Sequence, residues 1–265
     1  MLLQLVLAME DLEGKVALVT GASSGLGRIF CEDLLRHGFR VVAAARRTHL
    51  LHSLAPPDSP ASSRLFPLSL DVASSEDSID ETIQLAWDAF GRLDLLINNA
   101  GFRGSIKSPL ELDEEEWKKA LTTNLTGVWL VSKAVGKRFA AANIKGSIIN
   151  ISSVAALERG HVPGASAYAA SKAGVIQLTK VMALELGKYK IRVNSIAPGL
   201  FLSEITSGLL SQDWVKDVTL KSVPLQRNGN TSPDLTSLIL LLASECSSYV
   251  TGNVFWWMEG RLLQE

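Results

Sequence analysis

The sequence predicts an α/β fold, a doubly wound parallel sheet of about seven strands with helices on both faces. Two observations carry this. Short aliphatic and β-branched runs recur along the chain, and longer stretches with helical apolar spacing lie between them. Several of the short runs are apolar on both faces, as strands buried inside a parallel sheet are. Strands alternating with helices imply right-handed crossovers that cover the sheet on both sides.

The elements follow in order. The first strand is KVALVT, 15–20, and a glycine-rich turn leads from it into a helix over 25–37. RVVAAA, 40–45, is the second strand, with a short helix expected over about 47–54 and a surface turn at APPDSP, 55–60. RLFPLSL, 64–70, precedes a helix over 76–90, and LDLLIN, 93–98, precedes one long helix over 113–141. GSIINIS (146–152), a helix over 167–188, RVNSIA (192–197), a helix over 233–244 and GNVFWW (252–257) complete the pattern. With no repeat and no long linker, residues 1–265 read as one domain, residues 1–13 forming an N-terminal extension. The stretch 200–230 is the longest without a clear strand or long helix, and such segments often serve as lids.

The composition, 47% hydrophobic and 20% charged with a net charge of -1, is that of a soluble globular chain. No cluster of Lys or Arg offers a footprint for nucleic acid. Cys31 and Cys246 are too few for a disulfide framework or a metal site, which suits a reducing, cytoplasmic location. The opening MLLQLVLAME lacks a basic n-region and a cleavage site and is too short to span a membrane.

TGASSGLGR directly follows the first strand, so Gly21, Gly25 and Gly27 open a helix. Glycines allow a tight turn and close approach of a ligand, and a helix N-terminus offers free N–H groups to a pyrophosphate. The second strand ends in Ala45, Arg46 and Arg47 where NAD-preferring folds carry an acid for the ribose hydroxyls. Guanidinium groups favour a 2′-phosphate, hence NADP(H). Without the fold, the same pair reads as surface arginines at a helix start.

Within SAYAASKAG, 166–174, Tyr168 and Lys172 stand four residues apart and share one helix face. A nearby cation lowers the pKa of a phenol, which suits proton transfer near neutrality. Taken alone, the spacing equally fits a half-buried tyrosine with a surface lysine. The wider constellation decides between them. TGASSGLG, DV (71–72), NNAG (98–101), NLTG (124–127), NISS (150–153), YAASK (168–172) and IAPG (196–199) occur in register at successive strand ends and helices. On these motifs the chain resembles the short-chain dehydrogenase/reductase family over essentially its whole length. The likeness is to its NADP-preferring branch, which includes 3-oxoacyl-carrier-protein reductases and plant tropinone-type reductases.

The resemblance implies a Rossmann-type sheet and a set of roles. Tyr168 would be the general acid or base, and Lys172 would lower its pKa and bond the nicotinamide ribose. Ser153 rather than Ser152 would hold the substrate oxygen, and Asn124 would kink its helix and support a water chain from Lys172. Gly21, Ser23, Ser24, Gly25, Leu26 and Gly27 would surround the pyrophosphate, with Arg46 and Arg47 on the 2′-phosphate. Asp71 and Val72 would meet the adenine, and Asn98, Ala100 and Gly101 the adenine ribose. Pro198 and Gly199 would close over the nicotinamide, and Ser203 would stand where relatives often have Thr. Ser23 and Ser24 also depart from members with a basic residue in this turn.

Substrate choice would fall to 102–108, 154–167 and 200–227, where Phe201, Leu202, Ile205, Leu209 and Trp214 suggest a mostly apolar carbonyl compound. His161 and Glu158 receive no catalytic role. The resemblance also implies a homo-oligomer, a tetramer or dimer, built on helices 113–141 and 167–188 and on the last strand. Trp256 and Trp257 would be packing or interface residues there. Non-redox chemistry in the same pocket, or cofactor binding without turnover, are the alternatives the sequence leaves open.

Overall fold

The structure, a computed structural model, describes residues 12–157, 163–199, 201 and 229–257. Seven strands form one parallel sheet in the order β3-β2-β1-β4-β5-β6-β7. They are β1 (Val16–Thr20), β2 (Arg40–Ala45), β3 (Leu65–Ser69), β4 (Leu95–Asn98), β5 (Ser147–Ile151), β6 (Arg192–Pro198) and β7 (Val254–Trp257). The chain winds outward from β1 through β2 to β3, then returns to the far side of β1 with β4. The strand order therefore reverses between β1 and β4, and their carboxyl ends flank a crevice.

Helices cover both faces: α1 (Gly25–Arg36), α2 (Glu76–Asp88), α3 (Glu114–Leu121), α4 (Gly127–Ala141), α5 (Ser166–Leu186) and α6 (Thr236–Ala243). Alternation along the strands divides the core in two. Ala17, Val19, Val41 and Ala43 face α1 and α6 with Phe30, Leu34 and Ile239, whereas Val16, Leu18 and Val42 face the other layer with Ile79, Val131 and Phe139. The central strands are buried throughout because both layers are filled.

Three helical expectations need correction. The short helix expected over 47–54 consists of two single 3₁₀ turns, Thr48–Leu50 and His52–Leu54. Eight residues ahead of a surface turn give too little length for a helix nucleus to propagate. The long helix over 113–141 is interrupted by a π-type turn at Thr122–Thr126, where the resemblance implied that Asn124 would kink it. There the buried Asn124 side chain turns away to bond the loop after β4. A second π-type turn, Thr231–Leu235, precedes α6. The N-terminal extension, apart from its last residues, and nearly all of the 200–230 stretch lie outside the described residues.

Candidate active site

A cleft of about 400 Å³ opens at the carboxyl ends of β1, β4, β5 and β6. At one end the chain leaves β1 through Gly21 and Gly25, both at positive φ, and enters α1. A Cβ on Gly21 would stand 2.8 Å from Ala100 Cα, so the turn lies directly on the strand β4 exit. Ser24 is the N-cap of α1 and makes no side-chain cap bond, and the first turn holds no acidic residue. The first-turn N–H groups thus keep their positive potential for an anion in the cleft. Arg47 donates to Ser24 Oγ at 2.9 Å and to Ser23 Oγ at 3.3 Å, and Arg46 shares the cleft wall. Asp71 and Val72 line the same end, Asp71 accepting from Ala73 N at 3.0 Å.

At the other end, Ser153 follows β5, while Tyr168 and Lys172 sit on the first turns of α5. The Ser153 hydroxyl accepts from Ala155 N at 3.1 Å and lines the same cleft as the Tyr168 phenol. Lys172 is 3% exposed, donates to Ile151 O at 2.7 Å and stands 5.9 Å from the centre of the Tyr168 ring. Burial pulls the Lys172 ammonium down to about 8, from an ordinary 10.5. Burial also pushes the Tyr168 phenol up, against the Ser153 hydrogen bond and the positive charge of Arg103, which pull it down. Arg103 is thus a second cation near the phenol, beside Lys172, to which the sequence had pointed. Lys172 is itself so desolvated that it holds its proton weakly.

The structure brings Gly21, Ser23, Ser24, Gly25, Leu26, Arg46, Arg47, Asp71, Val72, Ala100, Gly101, Ser153, Tyr168, Lys172, Pro198 and Gly199 into one cleft wall. Three predicted residues stand behind it. Gly27 packs under the turn, where a Cβ would come within 2.5 Å of Gly21 O. Asn98 is buried, donating to Ser132 Oγ at 2.8 Å and Asn150 Oδ1 at 2.9 Å, so its amide is spent inside the core. Asn124 accepts from Phe102 N at 2.7 Å and donates to Phe102 O at 2.8 Å and Ser171 Oγ at 2.9 Å. It acts on the cleft by fixing its wall. Ser203, like Glu158, His161, Leu202, Ile205, Leu209 and Trp214, lies outside the described residues.

Sequence reasoning missed Asn99 and Lys119, and gave Arg103 only as part of the pocket segment 102–108; all three line the cleft wall. Asn99 Nδ2 donates to Thr20 O at 3.0 Å and Gly21 O at 3.3 Å, tying β4 to the glycine turn. The neighbouring asparagines alternate across the strand end, one into the core and one toward the turn, a choice the motif alone leaves open. Ser152 also lines the cleft, its Oγ donating to Lys172 O at 2.9 Å.

Residues 15–214 match the model of the family described as short chain dehydrogenase. The chain belongs to that family. It is 37% identical over 243 residues to the 3-oxoacyl-[acyl-carrier-protein] reductase FabG of Thermotoga maritima, covering 92% of this chain and 96% of that protein. The FabG reductase of Vibrio cholerae is likewise 37% identical over 244 residues, 92% and 95% of the two chains. A crystal structure of a short-chain type dehydrogenase/reductase from Mycobacterium marinum superposes with a TM-score of 0.87 at 33% identity, covering 96% of this chain and 98% of that one. Family membership makes this short-chain dehydrogenase an oxidoreductase working with a nicotinamide cofactor. Among the described residues no helix is long and apolar enough to cross a membrane.

Proposed function

We propose that this chain is an NADP(H)-dependent dehydrogenase/reductase that interconverts a ketone or aldehyde and its alcohol. One observation carries the reading. Ser153, Tyr168 and Lys172 converge at one end of a cleft whose other end holds the glycine turn and two arginines. The donor set fits the cofactor: open first-turn amides of α1 suit a pyrophosphate, and Arg46 and Arg47 suit a 2′-phosphate. When bound, the nicotinamide supplies the hydride, and the protein supplies position and protons.

In reduction, the Ser153 and Tyr168 hydroxyls both donate to the carbonyl oxygen, and Tyr168 gives up its proton as negative charge develops there. Lys172, 5.9 Å from the ring centre, and Arg103, in the same cleft wall, supply positive charge near the phenolate left behind. Lys172, fixed by Ile151 O, keeps donors for the ribose side of the cleft and, with Asn124, borders Gly101, from where a water chain to solvent would return the proton. In oxidation the same groups run in reverse, Tyr168 accepting the hydroxyl proton. Phe102, Val154, Ala155, Ala165 and Phe201 give the reacting end small or apolar walls, which suits a substrate with an apolar body. The 3-oxoacyl compounds named for the relatives head the substrates to try.

The test is NADPH oxidation by the purified protein against 3-oxoacyl thioesters, bicyclic amino ketones, steroid and terpenoid ketones and simple aldehydes. Turnover abolished in Tyr168→Phe is the expected result. Product formed without NADPH consumption would overturn it. We expect a tetramer or dimer as well, since Trp129 on α4, Leu184 on α5 and Trp256 on β7 stay 43%, 85% and 63% exposed. A monomeric mass at micromolar concentration would refute that assembly.

A further inference from the structure

The loop after β4 is held in a way the proton-transfer chemistry does not use. Phe102 is clasped from both sides by the Asn124 amide, at 2.7 and 2.8 Å. Three residues on, Ser105 N and Oγ both donate to Glu116 Oε1, at 2.5 and 2.7 Å. Lys107 N then donates to Gly164 O at 3.1 Å, binding the loop to the approach to α5. Between these anchors sits Arg103, half-buried, in the wall of the cleft and of a small hollow beside it. Tyr168 lines both of the same spaces. A side chain set between two clamps on one short loop begins with much of its ordering cost already met.

We propose that Arg103 is a specificity-determining residue that selects carbonyl substrates carrying a carboxylate close to the reacting carbonyl. This rests on the carbonyl-reductase reading above and narrows its substrate class to oxo acids with an apolar body. Arg103 shares its walls with the catalytic phenol and its charge is felt there, so an anion bound with the substrate feels that charge too. The guanidinium fork matches a carboxylate in a way a lysine does not. Lys119, which lines the cleft and stands 4.5 Å from the centre of the Phe102 ring, adds a second cation to the same corner. A long carrier arm would set its phosphate far from the carbonyl, so the anion meant here belongs to the substrate's own carbon chain.

The experiment compares short oxo acids of increasing length with their methyl esters, using wild type, Arg103→Met and Arg103→Lys, each first shown to bind NADPH. For at least one pair, wild type should favour the acid in kcat/KM by roughly tenfold or more, the range of a charge-assisted contact. Arg103→Met should erase that preference mainly through KM, and Arg103→Lys should restore part of it. No preference in wild type, or an equal loss for acid and ester in Arg103→Met, would overturn the proposal. The second pattern would mean that Arg103 serves the phenol alone. Where no pair turns over, quenching of bound NADPH fluorescence by the acids decides. Acid binding lost in Arg103→Met supports the assignment, and no acid binding to wild type sinks it. A protein that fails to bind NADPH at all would instead remove the reductase reading on which this one stands.

Discussion

The Lys172 ammonium stands 5.9 Å from the centre of the Tyr168 ring and is tied at 2.7 Å to the carbonyl oxygen of Ile151. Strand β5 thereby sets where the lysine ends, and the first turn of α5 sets where the phenol ends. Removing the phenol by Tyr168→Phe takes away the proton donor and leaves the ring's packing. A loss of about 10²–10⁴-fold in kcat is expected. NADPH affinity should change little in the same variant, which a fluorescence titration checks. An active Tyr168→Phe protein would mean that another group moves the proton.

Burial of Lys172 also has a consequence for stability. Its folded value of about 8 lies below the ordinary 10.5, so between those two pH values the unfolded chain binds more protons than the folded one. The contribution of Lys172 to the stability of the cofactor-free protein then rises with pH across that window, by on the order of 3 kcal/mol at most. Below it the cost of burying the charge is fully present. Between pH about 7.5 and about 9.5 the denaturant midpoint should change more favourably in wild type than in Lys172→Met, and the difference between the two reads the lysine's share. The comparison with the variant is needed because the Cys31 thiol and the Tyr168 phenol, both pushed up by burial, ionise more readily in the unfolded chain and act in the opposite direction.

The paired arginines after β2 give a prediction about cofactor choice. Arg47 already meets the Ser23 and Ser24 hydroxyls, and Arg46 stands beside it in the cleft wall. Arg46→Ala or Arg47→Ala should weaken NADPH binding about 10- to 100-fold, the value of a charge-assisted contact, and leave NADH nearly unchanged. Titration of each variant with both cofactors reads the ratio. An equal effect on the two would place the arginines away from the 2′-phosphate.

Gly127, the first residue of α4, has helical backbone angles, so alanine there brings no backbone strain and gains about 1 kcal/mol of helix propensity. Packing outweighs this. The new Cβ would lie 2.5 Å from Val72 O and 3.0 Å from Val72 Cβ. A net loss of about 1–3 kcal/mol is expected, with weaker NADPH binding because Val72 lines the cleft. A Gly127→Ala protein melting at or above the wild-type temperature would show that the strand end moves aside freely.

Asn124→Ala should cost about 2–4 kcal/mol, since it leaves the Phe102 N–H and C=O and the Ser171 hydroxyl without their buried partner. Thermal denaturation reads the loss. Because the Phe102 loop carries Arg103, the affinity for substrate should fall more than the affinity for NADPH. Equal falls would point to a general loosening of the helix.

Sequence by itself determined the frame of this protein. Each of the seven strand runs became a strand of one parallel sheet, because two-sided apolar runs have nowhere to go except between two covered faces. The i, i+4 spacing of Tyr168 and Lys172 fixed their common helix face, since helical periodicity is local. Tertiary structure decided what depends on neighbours distant in the chain. The run over 113–141 could break into a π-type turn at Asn124 only because Phe102 and Ser171, remote in sequence, pull on its amide. Which asparagine of NNAG enters the core was decided by Ser132 and Asn150, and the clamped Phe102 loop decided that Arg103 shares the cleft wall with the phenol. Periodicity encodes the face of an element; burial and charge at a site are sums over residues that only folding brings together.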